Sequence, residues 1–93
     1  MRQFNSEDKL VRAQEVLSTE LDQETVLMSI DAGAYYGMGG TARSIWEKLA
    51  TPITFSALVD ELVREYDVPH DACAADIQGF LAEMEREGLL RVE

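Results

Sequence analysis

The spacing of the apolar residues changes in the middle of this chain, at Gly39-Gly40. Before this pair, residues 25–31 (TVLMSID) alternate between two faces, which predicts a β-strand. After it, Phe55–Tyr66 places apolar residues three and four positions apart, which predicts an amphipathic helix. We therefore expect the first part of the chain to form a sheet and the second part to form helices.

Three segments are predicted as strands of one small antiparallel sheet. They are residues 11–17, residues 25–31 and Ala34–Met38. Residues 21–24 have turn-like composition, and Asp31-Ala32-Gly33 provides a second turn in which Gly33 is free to adopt a positive φ. The two tyrosines of the last segment, Tyr35 and Tyr36, favour an extended backbone.

Two helices are predicted next. Thr41 is a suitable N-cap for a helix that runs to about Ala50 and ends before Pro52. Thr54 is a suitable N-cap for the second helix, Phe55–Tyr66.

A third helix is predicted over residues 71–87. Gly88 follows it in the C′ position, and Leu89 can then pack against Met84, as in a Schellman motif. Residues 90–93 are predicted to be a short extended tail. The sequence thus predicts an α+β fold that resembles a winged helix-turn-helix, with a three-stranded antiparallel sheet followed by three helices.

A chain of 93 residues is long enough for one domain, which we expect to span residues 1–93. Residues 1–9 are mostly polar and are predicted to be flexible. The sequence has no apolar run near the ~18–20 residues that span a bilayer, and it begins without the apolar segment of a signal peptide. We expect a cytoplasmic protein.

Charge and metal-ligand content exclude several functions. Eighteen acidic and eight basic side chains give a net charge of −10, which disfavours binding to nucleic acids and to anionic membranes. One cysteine and one histidine are too few for a disulfide or a structural zinc site. The sequence predicts no metal and no cofactor.

The residue types that could act in catalysis do not form a catalytic pattern. His70 lacks a neighbouring nucleophile, and Cys73 lies on the apolar face of the third helix, where a small buried side chain is expected. The segment GMGG at residues 37–40 lacks the lysine and the spacing of a phosphate-binding loop. We therefore do not expect an enzyme.

The predicted shape leaves two other functions to weigh. A winged helix can bind DNA, but here the third helix has Arg86 as its single basic residue against five acidic residues. An acyl carrier protein needs a serine at a helix start for its cofactor arm. Neither Ser44 nor Ser56 follows an aspartate, and strands do not suit an all-helical carrier.

Three features allow more than one interpretation. Tyr35 and Tyr36 must point to opposite faces of their strand, so one of them is at least partly exposed and available to a partner. Asp76 borders the apolar stripe of the third helix, either as an ordinary boundary charge or as an acceptor for a partner along the helix. Gly79 costs that helix ~1 kcal/mol relative to alanine, and it is either a neutral feature or a point of close backbone approach.

Two blocks of sequence carry a resemblance to a known family. The segments VLMSIDAGAYYGMGGTARSIWEKL and DIQGFLAEMEREGLL, in this order and spacing, resemble PqqD-like domains over residues 11–92. These are recognition domains for the precursors of ribosomally made, post-translationally modified peptides. The short, stand-alone chain most resembles the leader-binding proteins of lasso-peptide biosynthesis.

The resemblance implies a mechanism and a set of partners. An unmodified leader peptide would add as a strand beside the third predicted strand and lie in a cleft whose other wall is the third helix. A tyrosine of the leader would enter an apolar pocket of this cleft. The implied partners are the leader peptide, a leader-cleaving cysteine peptidase and an ATP-dependent cyclase. The implied peptide-binding residues are Ala34, Tyr35, Tyr36, Gly37, Met38, Cys73, Asp76, Ile77, Phe80 and Met84.

Overall fold

The computed structural model describes residues 3–14, 16–21, 24–29 and 34–93. Its strands are β1 (Lys9–Arg12), β2 (Val16–Leu21), β3 (Glu24–Ser29), β4 (Ala34–Met38), β5 (Ile53–Thr54) and β6 (Leu90–Val92). Its helices are α1 (Gly40–Lys48), α2 (Phe55–Tyr66) and α3 (His70–Arg86). The predicted α+β class, with an antiparallel three-stranded sheet and three helices, is confirmed.

The predicted sheet is formed by β2, β3 and β4 in that order. Strand β4 has the bounds predicted for it, and it pairs with β3 from Met38 opposite Thr25 to Ala34 opposite Ser29. Leu21 and Glu24, the outer residues of the predicted turn at 21–24, pair with each other as the facing ends of β2 and β3. Residues 22 and 23 and the predicted turn at 31–33 lie outside the described residues.

The prediction of one strand over residues 11–17 is wrong. The chain forms β1 and β2 there, and the two strands belong to different sheets, because β1 lies between β5 and β6 in a second sheet. At the end of β1, the Arg12 N–H donates to the Leu49 carbonyl and the Ala13 N–H donates to the Leu89 carbonyl, each at 3.0 Å. These acceptors are distant in sequence, so local patterning gives no sign of the break.

Helix α1 begins two residues earlier than predicted, at Gly40 instead of Ala42, and its predicted cap is wrong. Gly39 is the N-cap and has an extended backbone, whereas Thr41 already lies within the first helical turn. An N-cap residue needs a non-helical backbone for its side chain to reach forward to the next N–H groups. Gly40 starts the helix with φ +58°, a conformation that glycine adopts without steric cost.

The first turn of α2 is capped from two directions. Thr54 Oγ1 accepts the Ala57 N–H at 3.1 Å, which confirms the predicted cap. The preceding N–H groups, of Phe55 and Ser56, donate to the carbonyl oxygens of Asp8 and Ser6 at 2.9 and 3.0 Å. The N-terminal segment thus satisfies donors that a helix leaves free at its start.

The segment before β1 departs from the expected flexible N-terminus at residues 1–9. Phe4 is buried, and its ring stacks on Phe55 with 6.4 Å between the ring centroids. Its backbone N–H donates to Gln78 Oε1 at 2.8 Å, and its carbonyl accepts from Gln78 Nε2 at 2.9 Å. The ring and backbone of Phe4 add contacts with α2 and α3 to the hydrogen bonds of Ser6 and Asp8, and the overall polarity of the stretch concealed them.

Helix α3 ends in the predicted Schellman motif. The Leu89 N–H donates to the Met84 carbonyl at 2.9 Å, and the Gly88 N–H donates to the Glu85 carbonyl at 3.1 Å. Gly88 has φ +76°, the left-handed conformation that this motif requires. The chain then turns back into β6, which pairs with β1.

All three helices and both sheets contribute to one core. Its most deeply buried large side chains are Leu10, Leu27, Ile45, Trp46, Leu49, Leu58, Val59, Leu62 and Leu81. The packing places one side of α3, with Cys73, Ile77, Leu81 and Met84, on this core.

A polar network joins α1 to α2. Lys48 Nζ lies 2.6 Å from Glu65 Oε1 and 2.9 Å from Ser44 Oγ, and Ser44 Oγ donates to the same Glu65 oxygen at 2.7 Å. The hydrogen bond from Lys48 lowers the pKa of Glu65 most, and the hydrogen bond from Ser44 lowers it further. A carboxyl group with a depressed pKa stabilises the fold above its unfolded pKa, and this stabilisation is lost as pH falls through the folded value.

We expect Glu65→Gln to lower the melting temperature at pH 7 and to flatten the fall of melting temperature in acid. Because Glu65 is partly exposed, the change will be small. Thermal unfolding followed by circular dichroism from pH 3 to 7 measures it. Glu61→Gln, one helical turn earlier, is the matched control. Equal acid dependence for wild type and Glu65→Gln would contradict the role of this network.

Candidate functional site

Strand β4 forms an edge of its sheet. Among the described residues it pairs only with β3, so alternate N–H and C=O groups along its other side point away from the sheet. Such an edge can accept a further strand. The strand ends at Met38, immediately before the glycine pair that leads into α1.

A cleft of about 350 Å³ lies between β4 and the C-terminal half of α3. We call it the β4–α3 cleft, and it is lined by Gly37, Ala42, Phe80, Glu83, Met84, Glu87 and Leu89. Met84 and Leu89 are buried, whereas the Phe80 side chain is half-buried. The cleft therefore has an apolar floor and carboxylates at its rim.

A second cleft of about 330 Å³ lies at the other end of α3. We call it the α2–α3 cleft, and it is lined by Thr41, Leu62, Tyr66, Val68, Pro69, Ala72, Cys73, Asp76 and Ile77. Two of its residues, Tyr66 and Val68, are exposed large hydrophobic side chains. It is open to solvent and largely apolar.

The structure divides the predicted peptide-binding residues between these clefts. Gly37, Phe80 and Met84 come together in the β4–α3 cleft. The other three helix residues, Cys73, Asp76 and Ile77, line the α2–α3 cleft instead. For Ala34, Tyr35, Tyr36 and Met38 the structure gives the backbone register in β4, and their side chains lie outside the described part.

Sequence reasoning missed the contributions of α1 and of the turn after α3. Ala42 of α1 packs against the core and also lines the β4–α3 cleft. Leu89 was expected to pack on Met84, and it lines the same cleft. The C″ position of Leu89 was a usable signal, whereas nothing in the local pattern of α1 distinguishes Ala42 from its neighbours.

The exposed surface of α3 is acidic. Asp71, Asp76 and Glu83 are exposed, and Arg86 donates to Glu83 Oε1 at 2.6 Å. A helix that enters the major groove of DNA needs basic side chains, and these carboxylates would repel the phosphates. The alternative of a DNA-binding regulator is therefore not supported.

His70 Nε2 lies 3.5 Å from Asp60 Oδ1, and its Nδ1 lies 3.6 Å from Asp71 Oδ1, so its contacts are with surface carboxylates.

In the described part of the chain, each helix is too short or too polar to cross a membrane. In the same residues, His, Cys, Asp and Glu side chains form no group of three that could hold a metal ion.

Cys73 lines the α2–α3 cleft as a buried free cysteine. Burial raises the pKa of its thiol, and the Asp76 carboxylate raises it further. The thiol is therefore protonated at neutral pH, and only the thiolate reacts readily with electrophiles.

We expect Cys73 to react more slowly with iodoacetamide at pH 7 to 8 than a cysteine in an unstructured peptide. Asp76→Asn should speed the reaction because it removes a negative charge that opposes the thiolate. Asp71→Asn, at the start of the same helix, is the control and should leave the rate unchanged. The rate is measured by intact mass, and reaction as fast as that of the peptide cysteine would contradict the prediction.

The sequence matches one family model. Residues 24–90 match the PqqD family, described as coenzyme PQQ synthesis protein D. This chain belongs to the PqqD family. The resemblance drawn from the two sequence blocks is thereby confirmed. No curated protein matches the sequence.

Two solved structures have the same fold as this PqqD-family chain. TbiB1 in complex with the TbiA(β) leader peptide is 26% identical, with a TM-score of 0.77 over 87% of this chain and 94% of TbiB1. Lasso peptide synthetase B1 complexed with the leader peptide is 21% identical, with a TM-score of 0.76 over 88% of this chain and 96% of the other. The second match, at lower identity, establishes the fold alone.

Proposed function

We propose that this chain is a non-catalytic adaptor that binds the leader segment of a lasso-peptide precursor and presents it to separate maturation enzymes. One observation carries the proposal: an open, apolar cleft lies between α3 and the edge of β4 that, in the described part of the chain, pairs with no further strand. The family supports it, since TbiB1, at 26% identity over most of both chains, was solved with a leader peptide.

The leader binds by strand addition. Its backbone pairs with the outer edge of β4, which supplies main-chain hydrogen bonds that tolerate different leader sequences. Its side chains on the inner face point toward α3, where pockets supply selectivity. The residues that we assign to this contact are Ala34, Tyr35, Tyr36, Gly37, Met38, Cys73, Asp76, Ile77, Phe80 and Met84.

Apolar anchors supply much of the affinity. A disordered leader loses conformational entropy when it binds, and this loss must be offset. A large side chain that is fully buried contributes about 2–3 kcal/mol before the ordering costs are subtracted. The floor of the β4–α3 cleft, with Phe80 and Met84, accepts such a side chain.

The chemical steps belong to partners. We assign cleavage of the bound leader to a cysteine peptidase and ring formation to an ATP-dependent cyclase. The adaptor holds the leader so that the peptidase meets its cleavage site at high effective concentration. Because ribosomes release the precursor into the cytoplasm, we place the adaptor there.

Binding of a labelled leader tests the proposal. Two fluorescein-labelled peptides serve as probes: the leader of the precursor encoded nearest this chain's gene, and the TbiA(β) leader. Saturable anisotropy changes with at least one of them are expected, and a peptide of the same composition in scrambled order should not bind. Lack of saturable binding to both leaders would overturn the proposal. Salt-sensitive retention on duplex DNA would instead revive the regulator alternative.

A further inference from the structure

Gly79 lies near the middle of α3, where glycine weakens a helix because its backbone is the most flexible in the unfolded chain. Two other described glycines in this chain, Gly40 and Gly88, have positive φ angles, which give a conformational reason for glycine. Gly79 has no positive φ. Its backbone is helical, so the fold does not require glycine for its conformation.

Packing gives no reason for glycine at this position either. A Cβ atom built on Gly79 meets nothing within 4 Å, and the residue is exposed. Alanine would therefore fit the free protein without a clash and would favour the helix. The contacts of the folded chain do not account for the glycine.

Gly79 occupies a gap between two carboxylates that border the clefts. Asp76 lies three residues before it and Glu83 four residues after it, so all three share one side of α3. Asp76 lines the α2–α3 cleft, and Glu83, which pairs with Arg86, lines the β4–α3 cleft. At Gly79 the helix backbone is bare between these two side chains.

We propose that the backbone of the bound leader comes against α3 at Gly79, between the Asp76 and Glu83 carboxylates. This inference rests on the proposed leader binding and adds a positioning residue to it. A bare helix backbone lets an extended chain approach more closely than any side chain would allow. The flanking carboxylates can accept N–H groups that the leader does not donate to β4. A methyl group at position 79 would hold the leader away from the cleft.

A series of substitutions at position 79 tests this inference by comparing their effects on the melting temperature and on the affinity for the leader. The probe is whichever labelled leader binds the wild type more tightly. Gly79→Ala should raise the melting temperature and weaken leader binding about fivefold or more, whereas Gly79→Leu should weaken it further. Ala75→Leu, which introduces the same side chain at an exposed position of α3 that lines neither cleft, should change the dissociation constant less than twofold.

The outcomes separate this inference from the proposed function. A wild-type chain that binds neither leader overturns the proposed function. A wild type that binds, together with a Gly79→Ala variant that melts higher and binds within twofold of it, overturns the role of Gly79 alone. Equal weakening by Ala75→Leu and Gly79→Leu also overturns it, because added bulk anywhere on the outer face of α3 would then suffice.

Discussion

Phe80→Ala is expected to weaken leader binding at least tenfold. The Phe80 side chain is half-buried and lines the apolar floor of the β4–α3 cleft together with Met84 and Leu89. Removing its ring leaves a leader anchor without a wall to pack against, and central aromatic contacts of this kind dominate peptide interfaces. A tenfold change corresponds to about 1.4 kcal/mol of binding free energy.

Anisotropy titration with the labelled leader measures this effect, and circular dichroism checks that the variant folds. Arg64→Ala, at an exposed position of α2 that lines neither cleft, is the control and should bind as the wild type does. The leader affinity of Phe80→Leu should lie between those of the wild type and the alanine variant, because leucine keeps part of the apolar surface. A folded Phe80→Ala variant with unchanged affinity would show that the leader does not use this cleft.

Trp46→Ala is expected to cost about 3–5 kcal/mol of unfolding free energy, as for other large-to-small changes in a core. Trp46 is 2% exposed and is among the largest fully buried side chains. The Arg12 guanidinium carbon lies 4.5 Å from the centre of its ring, and Arg12 Nε donates to the Trp46 carbonyl at 2.8 Å. The substitution therefore removes both core volume and the aromatic face beneath a partly buried cation.

A domain of this size is stabilised by only a few kcal/mol, so Trp46→Ala should be largely unfolded at room temperature. Urea unfolding followed by far-ultraviolet circular dichroism is the suitable measurement, since the variant lacks its tryptophan. Trp46→Phe is the matched control and should cost less, because Trp46 Nε1 finds no hydrogen-bond partner among the described residues. A cooperative Trp46→Ala transition within about 1 kcal/mol of the wild type would contradict this role.

Elements whose causes are local could be predicted from the sequence. The three-and-four spacing in Phe55–Tyr66 and the Thr54 cap defined α2, and Gly88 defined the end of α3. The bounds of β4 also followed from its own residues. In each case the hydrogen bonds or the apolar faces involve residues within a few positions of one another.

Elements that depend on distant partners could not be predicted from the sequence. Strand β1 exists between β5 and β6, with Leu10 opposite both Ile53 and Val92. Phe4 is buried with its ring on Phe55, and Gln78, 74 residues away, binds its backbone. Apolar periodicity indicates that a residue is buried, but it does not indicate which residues it packs against. These pairings are therefore visible only in the tertiary structure.

The candidate site combines both kinds of information. The sequence by itself determined that α3 carries an apolar stripe bordered by acidic residues, and that a tyrosine-bearing strand precedes the helices. Only the tertiary structure decided that this stripe faces two separate clefts, with Ala42 and Leu89 completing one of them. The reason is physical: helix periodicity fixes which side chains share a face, whereas the space in front of that face depends on how distant elements pack against it.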